Sequence, residues 1–337
     1  MDKAVLFGIG KKYRKYTELL HKKYNVVSLC DNDISKHGNV IDGYKIVPPD
    51  YLRGGNYDVV VILPELIIAE TIFQQLLQYG IPTDKIEVFE EGGSIRLCSC
   101  FIDEESRINI NIDSLGDYHV AREIFLYKEY EGGFNAENVV VIDMGMNIGC
   151  ASLYFASFPN IKCIYSFELV ESTFQKALKN IGLNPVLAQK IIPHNFGISN
   201  REERILVNTE VISGKTSVFT SPAKSRIECV IKDASAILKP ILENHSDSKI
   251  LLKMDTEGSE YDIFDSLDKS GLLSRIDFII GEWHNILGES VCLDSDTQKP
   301  LLDKLRSHFT RNGFAYKITN VHQGIGYFYA CNTCLKG

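Results

Sequence analysis

Short apolar blocks alternate with longer amphipathic stretches along most of this chain. The sharpest block is Val139-Val-Val-Ile142, four β-branched residues closed by Asp143. An unbroken run of this kind predicts a strand buried on both faces, as in a parallel sheet. Gly145, Asn147 and Gly149 follow, and then an apolar stretch over 151–158 that predicts a helix. The rhythm repeats, with strands over 162–167, 190–193, 249–254 and 276–281 and helices over 170–181, 261–267 and 300–312. In the first of these helices Phe174, Leu178 and Ile181 are expected to face the sheet, and in the last Leu301, Leu305 and Phe309 share one face. Residues 315–319 and 327–330 predict a closing hairpin. Between 201 and 231 the rhythm lapses, and 204–208 and 229–231 read as an inserted pair of strands with a turn at Ser213-Gly-Lys215.

The first 95 residues show a separate pattern. Strands over 4–7, 26–30, 57–63 and 86–89 enclose helices over 12–23 and 71–79, which predicts a small Rossmann-like α/β domain. Leu19 and Leu20 are expected to point inward in the first helix. Ile72, Leu76 and Tyr79 stand at helical spacing in the second, stopped by Gly80. Gly8-Ile-Gly10-Lys-Lys-Tyr13 is half of a dinucleotide fingerprint, because Tyr13 stands where a third glycine lets helix and strand pack closely. Asp31-Asn-Asp33 at the end of the second strand can accept from a ribose, or the two glycines simply make a tight turn. This domain resembles, in overall pattern, the nucleotide-sugar-epimerase-like domains at the front of some capsule and glycan enzymes.

Residues 96–138 read as a connecting segment, with Gly92-Gly93 as a hinge, a half-polar strand over 108–112 and a helix over 118–130 broken at Gly132-Gly133. Such a segment covers a sheet edge, or lies over a cofactor with Tyr118 or Arg122 in contact. The sequence leaves both open. Residues 139–337 form the third division, the catalytic domain.

The net charge of −8 argues against nucleic acid or an anionic membrane as the main partner. No stretch approaches the ~20 apolar residues of a membrane span, and the N-terminus runs into a strand without a signal peptide, so a cytoplasmic location is expected. Nine cysteines, an odd number, suit free thiols in a reducing compartment. Cys98, Cys100, Cys331 and Cys334 fit unrelated structural thiols better than a zinc site, since C-x-C is a poor zinc spacing.

The pattern D-x-G-x-N-x-G after the central strand selects the ligand. A carboxylate where a pyrophosphate would lie repels it, whereas an ammonium or sulfonium suits it, and S-adenosylmethionine (SAM) carries both. Glu168 ends the next strand and is placed to accept from ribose hydroxyls. Two further strand ends carry chemistry: Asp255 and Glu257 on one, Glu282 and His284 on the other. If strand geometry persists, each i, i+2 pair points to one side. Glu260 reads as part of a first helical turn. A divalent metal held by these carboxylates and His284 is possible but not favoured, and no metal ligand is assigned.

With these residues in view, residues 139 to about 285 resemble the FkbM-like SAM-dependent methyltransferase family. The matching stretches are Val141-Ile-Asp-Met-Gly-Met-Asn-Ile-Gly149, Tyr165-Ser-Phe-Glu168 and Leu252-Lys-Met-Asp-Thr-Glu-Gly-Ser-Glu260, with Asn195-Phe-Gly-Ile-Ser199 a looser fit. Met146 stands where the family usually has alanine, and Leu169 where it has proline. The resemblance implies a class I methyltransferase sandwich, a mostly parallel seven-stranded sheet with an antiparallel terminal hairpin. It implies SAM as cofactor and methyl transfer to a hydroxyl. By position Asp143, Gly145, Asn147 and Gly149 would hold the methionine end, Glu168 the ribose, and Asn195, Phe196 and Gly197 the adenine.

For the chemistry, His284 is the preferred general base, with Asp255 or Glu257 orienting acceptor or sulfonium. Glu282 and Trp283 are candidate substrate residues, Trp283 by stacking on a sugar ring, although a core role is as good a reading. The expected acceptor is a small molecule or sugar nucleotide, in glycan biosynthesis. Two alternatives stand beside this: a nicotinamide-dependent sugar oxidoreductase using the first domain, and a non-catalytic protein binding SAM or a nucleotide sugar. The oligomeric state is not readable.

Overall fold

The structure, a computed structural model, describes residues 1–64, 66–90, 93–96, 101–103, 107–112, 114–131, 136–208, 226–284, 295–319 and 325–334. The chain divides into two compact units, Met1–Tyr127 and Lys128–Gly337. The boundary falls inside the segment read from sequence as a connector.

In the first unit the order is β1 (Lys3–Phe7), α1 (Lys11–Lys23), β2 (Asn25–Cys30), β3 (Val40–Ile41), β4 (Tyr44–Val47), β5 (Val59–Ile62), α2 (Leu66–Gln78), β6 (Ile86–Glu90) and β7 (Gly93–Arg96). Then come β8 (Phe101–Asp103), β9 (Ile108–Ile110) and α3 (Leu115–Phe125). Seven strands form one sheet in the order β3-β4-β2-β1-β5-β6-β7, parallel except at its two ends. Val59 to Ile62 are fully buried, as a central parallel strand requires. Leu20 is fully buried but Leu19 is 47% exposed, so only one of the two expected inward leucines faces the sheet. Helix α2 starts five residues earlier than its polar spacing suggested, and Tyr79 lies just beyond its end. Helix α3 likewise starts early, at a Ser114 cap whose hydroxyl accepts from the Asp117 N–H at 3.1 Å, and it ends before Tyr130. Tyr118 and Arg122 are both buried on it.

The second unit runs β10 (Val139–Met144), α4 (Cys150–Ala156), β11 (Ile161–Phe167), α5 (Glu171–Gly182), α6 (Pro185–Ala188), β12 (Ile191–His194), β13 (Gly197–Ser199), β14 (Glu203–Asn208) and β15 (Arg226–Asp233). It continues α7 (Ala234–Asn244), β16 (Lys249–Met254), α8 (Glu260–Lys269), β17 (Phe278–His284), α9 (Ser295–Arg311), β18 (Phe314–Ile318) and β19 (Ile325–Asn332). The seven-stranded sheet has the order β12-β11-β10-β16-β17-β19-β18. All neighbours are parallel up to β17, and β17, β19 and β18 are antiparallel. This is the class I methyltransferase architecture read from the sequence. The lapse in rhythm is also real: β14 pairs antiparallel with β15, and β13 joins β15 in a separate three-stranded sheet. The Ser213-Gly-Lys215 turn, Gly132-Gly133, Gly92, Cys98 and Cys100 lie outside the described residues, and Cys331 and Cys334 are free thiols.

A buried cluster in this unit joins Val140, Ile142, Leu252, Phe264, Leu305, Phe309 and Phe328 across sheet and helices. On α5 the buried residues are Ala177, Asn180 and Ile181, while Phe174 and Leu178 are only half-buried. Helix α5 runs alongside Gly149, where a Cβ would make ordinary contact with Ala177 Cβ at 3.5 Å, so the glycine answers to its φ of +89°. Strand β17 extends through His284, further than expected. Its period of two sends Ile279 and Trp283 into the core and Glu282 and His284 to the other face.

Candidate functional site

The central strand β10 has β11 on one side and β16 on the other, so the chain leaves it in opposite directions. In open α/β sheets that switch opens a crevice at the carboxyl ends of the strands. The turn after β10 is bound tightly to the end of β11. Gly145 N–H and Met146 N–H both donate to the Phe167 carbonyl, at 3.1 and 2.8 Å. Asn147 N–H donates to Glu168 Oε2 at 2.9 Å, and the other Glu168 oxygen accepts from Val170 N–H at 2.9 Å. Gly145, Asn147 and Gly149 have φ of +86°, +52° and +89°. The glycine at 145 answers to the protein itself as well as to a ligand: a Cβ would lie 1.7 Å from the Asp255 carbonyl oxygen.

Glu168 is 9% exposed. Burial pushes its carboxyl up to about 7, against the pull of the Val170 and Asn147 N–H groups and Lys253. A carboxylate has about four acceptor positions, and two backbone donors leave capacity for hydroxyl groups in the crevice.

Asp143 is placed differently from the expectation. It is fully buried, accepts from Ser152 Oγ at 2.5 Å and pairs with Lys253 Nζ at 3.1 Å. Lys253 Nζ also donates to the Gly145 carbonyl at 2.6 Å, and its ammonium lies 5.6 Å from the centre of the Tyr130 ring. Burial, the largest influence, works to lower the lysine's pKa, but Asp143, Asp255 and Glu282 outweigh it and the group stays above its ordinary value. Asp143 therefore braces the turn from beneath through Lys253 instead of meeting a cofactor directly.

On the far side of the crevice, β16 ends at Met254, and strand geometry does not persist as assumed for Asp255 and Glu257. The chain makes a tight turn with Glu257 at φ +52° and Gly258 at φ +112°. Glu260, fully buried, organises the turn: one oxygen accepts from Thr256 N–H at 3.0 Å, Thr256 Oγ1 at 3.1 Å and Gly258 N–H at 3.3 Å. The same oxygen meets His284 Nδ1 at 3.0 Å. His284 Nε2 faces Glu257, Glu282 and Asp255 at 3.7, 3.7 and 3.9 Å. Burial works to lower the imidazole pKa, but Glu260, Glu257 and Asp255 raise it to about 10. An imidazole so strongly held in its protonated form is a poor proton acceptor at neutral pH, which argues against His284 as a free general base.

The crevice encloses about 970 Å³ including its open mouth, and Gly145, Asn147, Glu168, Gly197, Asp255 and Glu257 all line it. Gly149 instead faces α5. Asn195 Nδ2 donates to the Glu168 carbonyl at 3.0 Å, and Phe196 packs on Phe167 with the Lys232 ammonium 4.1 Å from its ring centre. Trp283 is a correction: it is 1% exposed, sits in the core and donates from Nε1 to the Thr319 carbonyl at 3.2 Å, so it offers no face to a substrate. Sequence reasoning missed the lining by Thr173, Arg201 and Asp262, whereas Ser199 belongs to the Asn195–Ser199 stretch it singled out. It also missed Lys253 and Glu260. A lysine inside an otherwise apolar parallel strand was the available signal for the first, because a buried ammonium demands a carboxylate.

In the first unit the Gly8-Ile-Gly10 turn is closed by its own chain. Asp31 accepts from Ile9 N–H at 2.8 Å and pairs with Lys36 Nζ at 2.8 Å, and a Cβ on Gly8 would lie 2.3 Å from Pro64.

Residues 143–316 match the methyltransferase FkbM domain family, and residues 1–87 match the C2185-like N-terminal domain family. Among solved structures, the chain is similar to the methyltransferase FkbM of Methylobacillus flagellatus KT. The identity is 14%, covering 97% of this chain and 89% of that one, with a TM-score of 0.40. It is also similar to a precorrin-6y C5,15-methyltransferase of Geobacter metallireducens, at 13% identity over 69% of this chain and 97% of that one, with a TM-score of 0.34. No curated protein sequence matches. Among the described residues, no helix is long and apolar enough to cross a membrane.

Proposed function

Because the chain belongs to the FkbM methyltransferase family, we propose that it is a SAM-dependent O-methyltransferase acting on a hydroxyl of a sugar or glycan precursor. The observation that carries the reading is the crevice beyond β10, walled by Gly145, Asn147 and Glu168 on one side and by Asp255 and Glu257 on the other. The first wall fits SAM: Glu168 has free acceptor capacity for ribose hydroxyls, and the Asn147 turn is fixed to it. When bound, SAM supplies a methyl group already activated on sulfur.

The protein's share is to place the acceptor oxygen and take its proton. Asp255 and Glu257 stand at the crevice and are the acceptors of that proton; His284 and Glu260 behind them set their position. Polar groups along the crevice, Ser199, Arg201, Thr256 and Ser259, suit an acceptor rich in hydroxyls. The first unit is assigned the task of recruiting or positioning the acceptor, without chemistry of its own.

The test is calorimetry with SAM and S-adenosylhomocysteine, followed by methyl transfer to a panel of nucleotide sugars and glycans. Binding of both ligands and methylation of a sugar hydroxyl is the expected result. Binding of NAD with no binding of SAM overturns the reading.

A further inference from the structure

We propose that Asp255, Glu257 and His284 form a binding site for a divalent cation of the Mg²⁺/Mn²⁺ class. One ligand atom from each lies within 4.8 Å of the others. An octahedral ion at about 2.1 Å from its ligands holds neighbouring ligand atoms about 3 Å apart and opposite ones about 4.2 Å apart. His284 Nε2 stands 3.7 Å from Glu257 Oε2 and 3.9 Å from Asp255 Oδ1. These separations are too long for hydrogen bonds, and an ion between the three would draw the two carboxylates toward Nε2 by roughly an ångström or less to reach the cis separation.

The histidine carries the argument beyond a group of acids. It is 7% exposed, and its Nδ1 is fixed by Glu260 at 3.0 Å. Its Nε2 faces the carboxylates of Asp255, Glu257 and Glu282, and among the described residues it makes no hydrogen bond within 3.5 Å. A carboxylate that holds one imidazole nitrogen so that the other can ligate is the usual support of a metal-binding histidine. Glu260 is itself fully buried, and three of its four contacts pin the turn that carries Asp255 and Glu257. One residue thus fixes all three ligands.

Charge points the same way. Four carboxylates, those of Asp255, Glu257, Glu260 and Glu282, surround one imidazole. Even with that imidazole protonated, the group carries an excess of negative charge in a half-buried space. Lys253, a buried cation on β16, is engaged with Asp143 and the Gly145 carbonyl. One imidazole with two carboxylates and an open side toward water suits Mn²⁺ or Mg²⁺ better than the thiolate-rich sites of zinc. The site adjoins the crevice through Asp255 and Glu257, which gives an acceptor oxygen a Lewis acid beside it. The ion's use rests on the methyltransferase reading, whereas its binding does not.

The experiment uses the full chain, stripped with a chelator and titrated with Mn²⁺ alone, with free ion followed by electron paramagnetic resonance. One saturable site per chain is expected. Glu257→Gln and Asp255→Asn should each weaken it at least tenfold, and Glu260→Gln, which acts through His284, by about 10–100-fold. Far-UV circular dichroism and thermal melts on the same variants show that they are folded. No saturable binding to the wild type below millimolar Mn²⁺ overturns the proposal, as does binding unchanged in both ligand variants. Mn²⁺ binding without SAM binding leaves this site standing and sinks the methyltransferase reading; SAM binding without Mn²⁺ does the reverse.

Discussion

A lone buried carboxyl and a buried ion pair decide how the SAM wall behaves, and they behave differently. Glu168 is an acid raised from 4.5 to about 7 by burial. The folded protein therefore binds this proton more tightly than the unfolded chain does. That stabilisation is fully present below about 4.5 and is lost as pH rises through about 7. Glu168→Gln removes the titration. The variant should gain stability relative to wild type between pH 5 and pH 8, by on the order of 2–3 kcal/mol. It should also bind SAM more weakly by about 1.5–3 kcal/mol, the scale of hydrogen bonds to a charged acceptor. Urea denaturation at the two pH values and calorimetry check both; an unchanged stability difference means the carboxyl is not perturbed in the fold. Lys253 and Asp143 are the opposite case, a pair whose members are 2% and 0% exposed. Removing one partner strands the other charge. Lys253→Met should cost about 3–5 kcal/mol, and adding Asp143→Asn should restore much of it, because the two charges then leave together. A loss under 1 kcal/mol in the single variant would show the aspartate to be solvated or protonated.

At the scale of elements, the reading from sequence succeeded where one periodicity governed. The runs 139–142, 162–167 and 249–254 became neighbouring parallel strands, the first as an unbroken β-branched block and the other two as mostly apolar strands in the same βα rhythm. It failed where a partner far away in sequence sets the geometry. Asp255 and Glu257 do share one site, but through a positive-φ turn held by Glu260 and not through alternation along a strand. Trp283 faces the core because β17 continues past its expected end and keeps alternating. The glycines of the central turn were legible as close approaches, but one of the close neighbours is the backbone of Asp255, just past the end of β16. Gly145→Ala places a Cβ 1.7 Å from the Asp255 carbonyl at φ +86°. It should force β10 and the Asp255 turn apart and lower both stability and SAM affinity, the latter at least tenfold. Gly182→Ala is the matched control. It ends α5 with open space around its Cβ position, so it should stabilise by about 0.5–1 kcal/mol through helix propensity. Thermal melts and calorimetry on the pair test whether strain at one turn, and not the loss of glycine in general, is responsible.

For the whole molecule, the question is what each unit does alone. Every residue assigned here to SAM, to proton transfer and to the cation lies in the unit Lys128–Gly337, and so does the core beneath them. That unit holds about 200 residues and a seven-stranded sheet with its own buried centre, well above the size at which a single core sustains folding. The first unit has its own core, built on Leu6, Leu29, Val59 and Val61. Its glycine turn is closed by Asp31 and Lys36. A fragment of residues 128–337 is therefore expected to fold cooperatively, to bind SAM within about threefold of the full chain and to keep its Mn²⁺ site. Turnover of the native acceptor should fall, mostly through KM, because the first unit is assigned to recruiting it. The decisive comparison is between two readings of one fragment. SAM affinity retained with acceptor KM raised supports separate roles. Turnover at the full-chain rate and KM removes the first unit from acceptor recognition, and loss of SAM binding in a folded fragment shows that the cofactor site is not confined to the second unit.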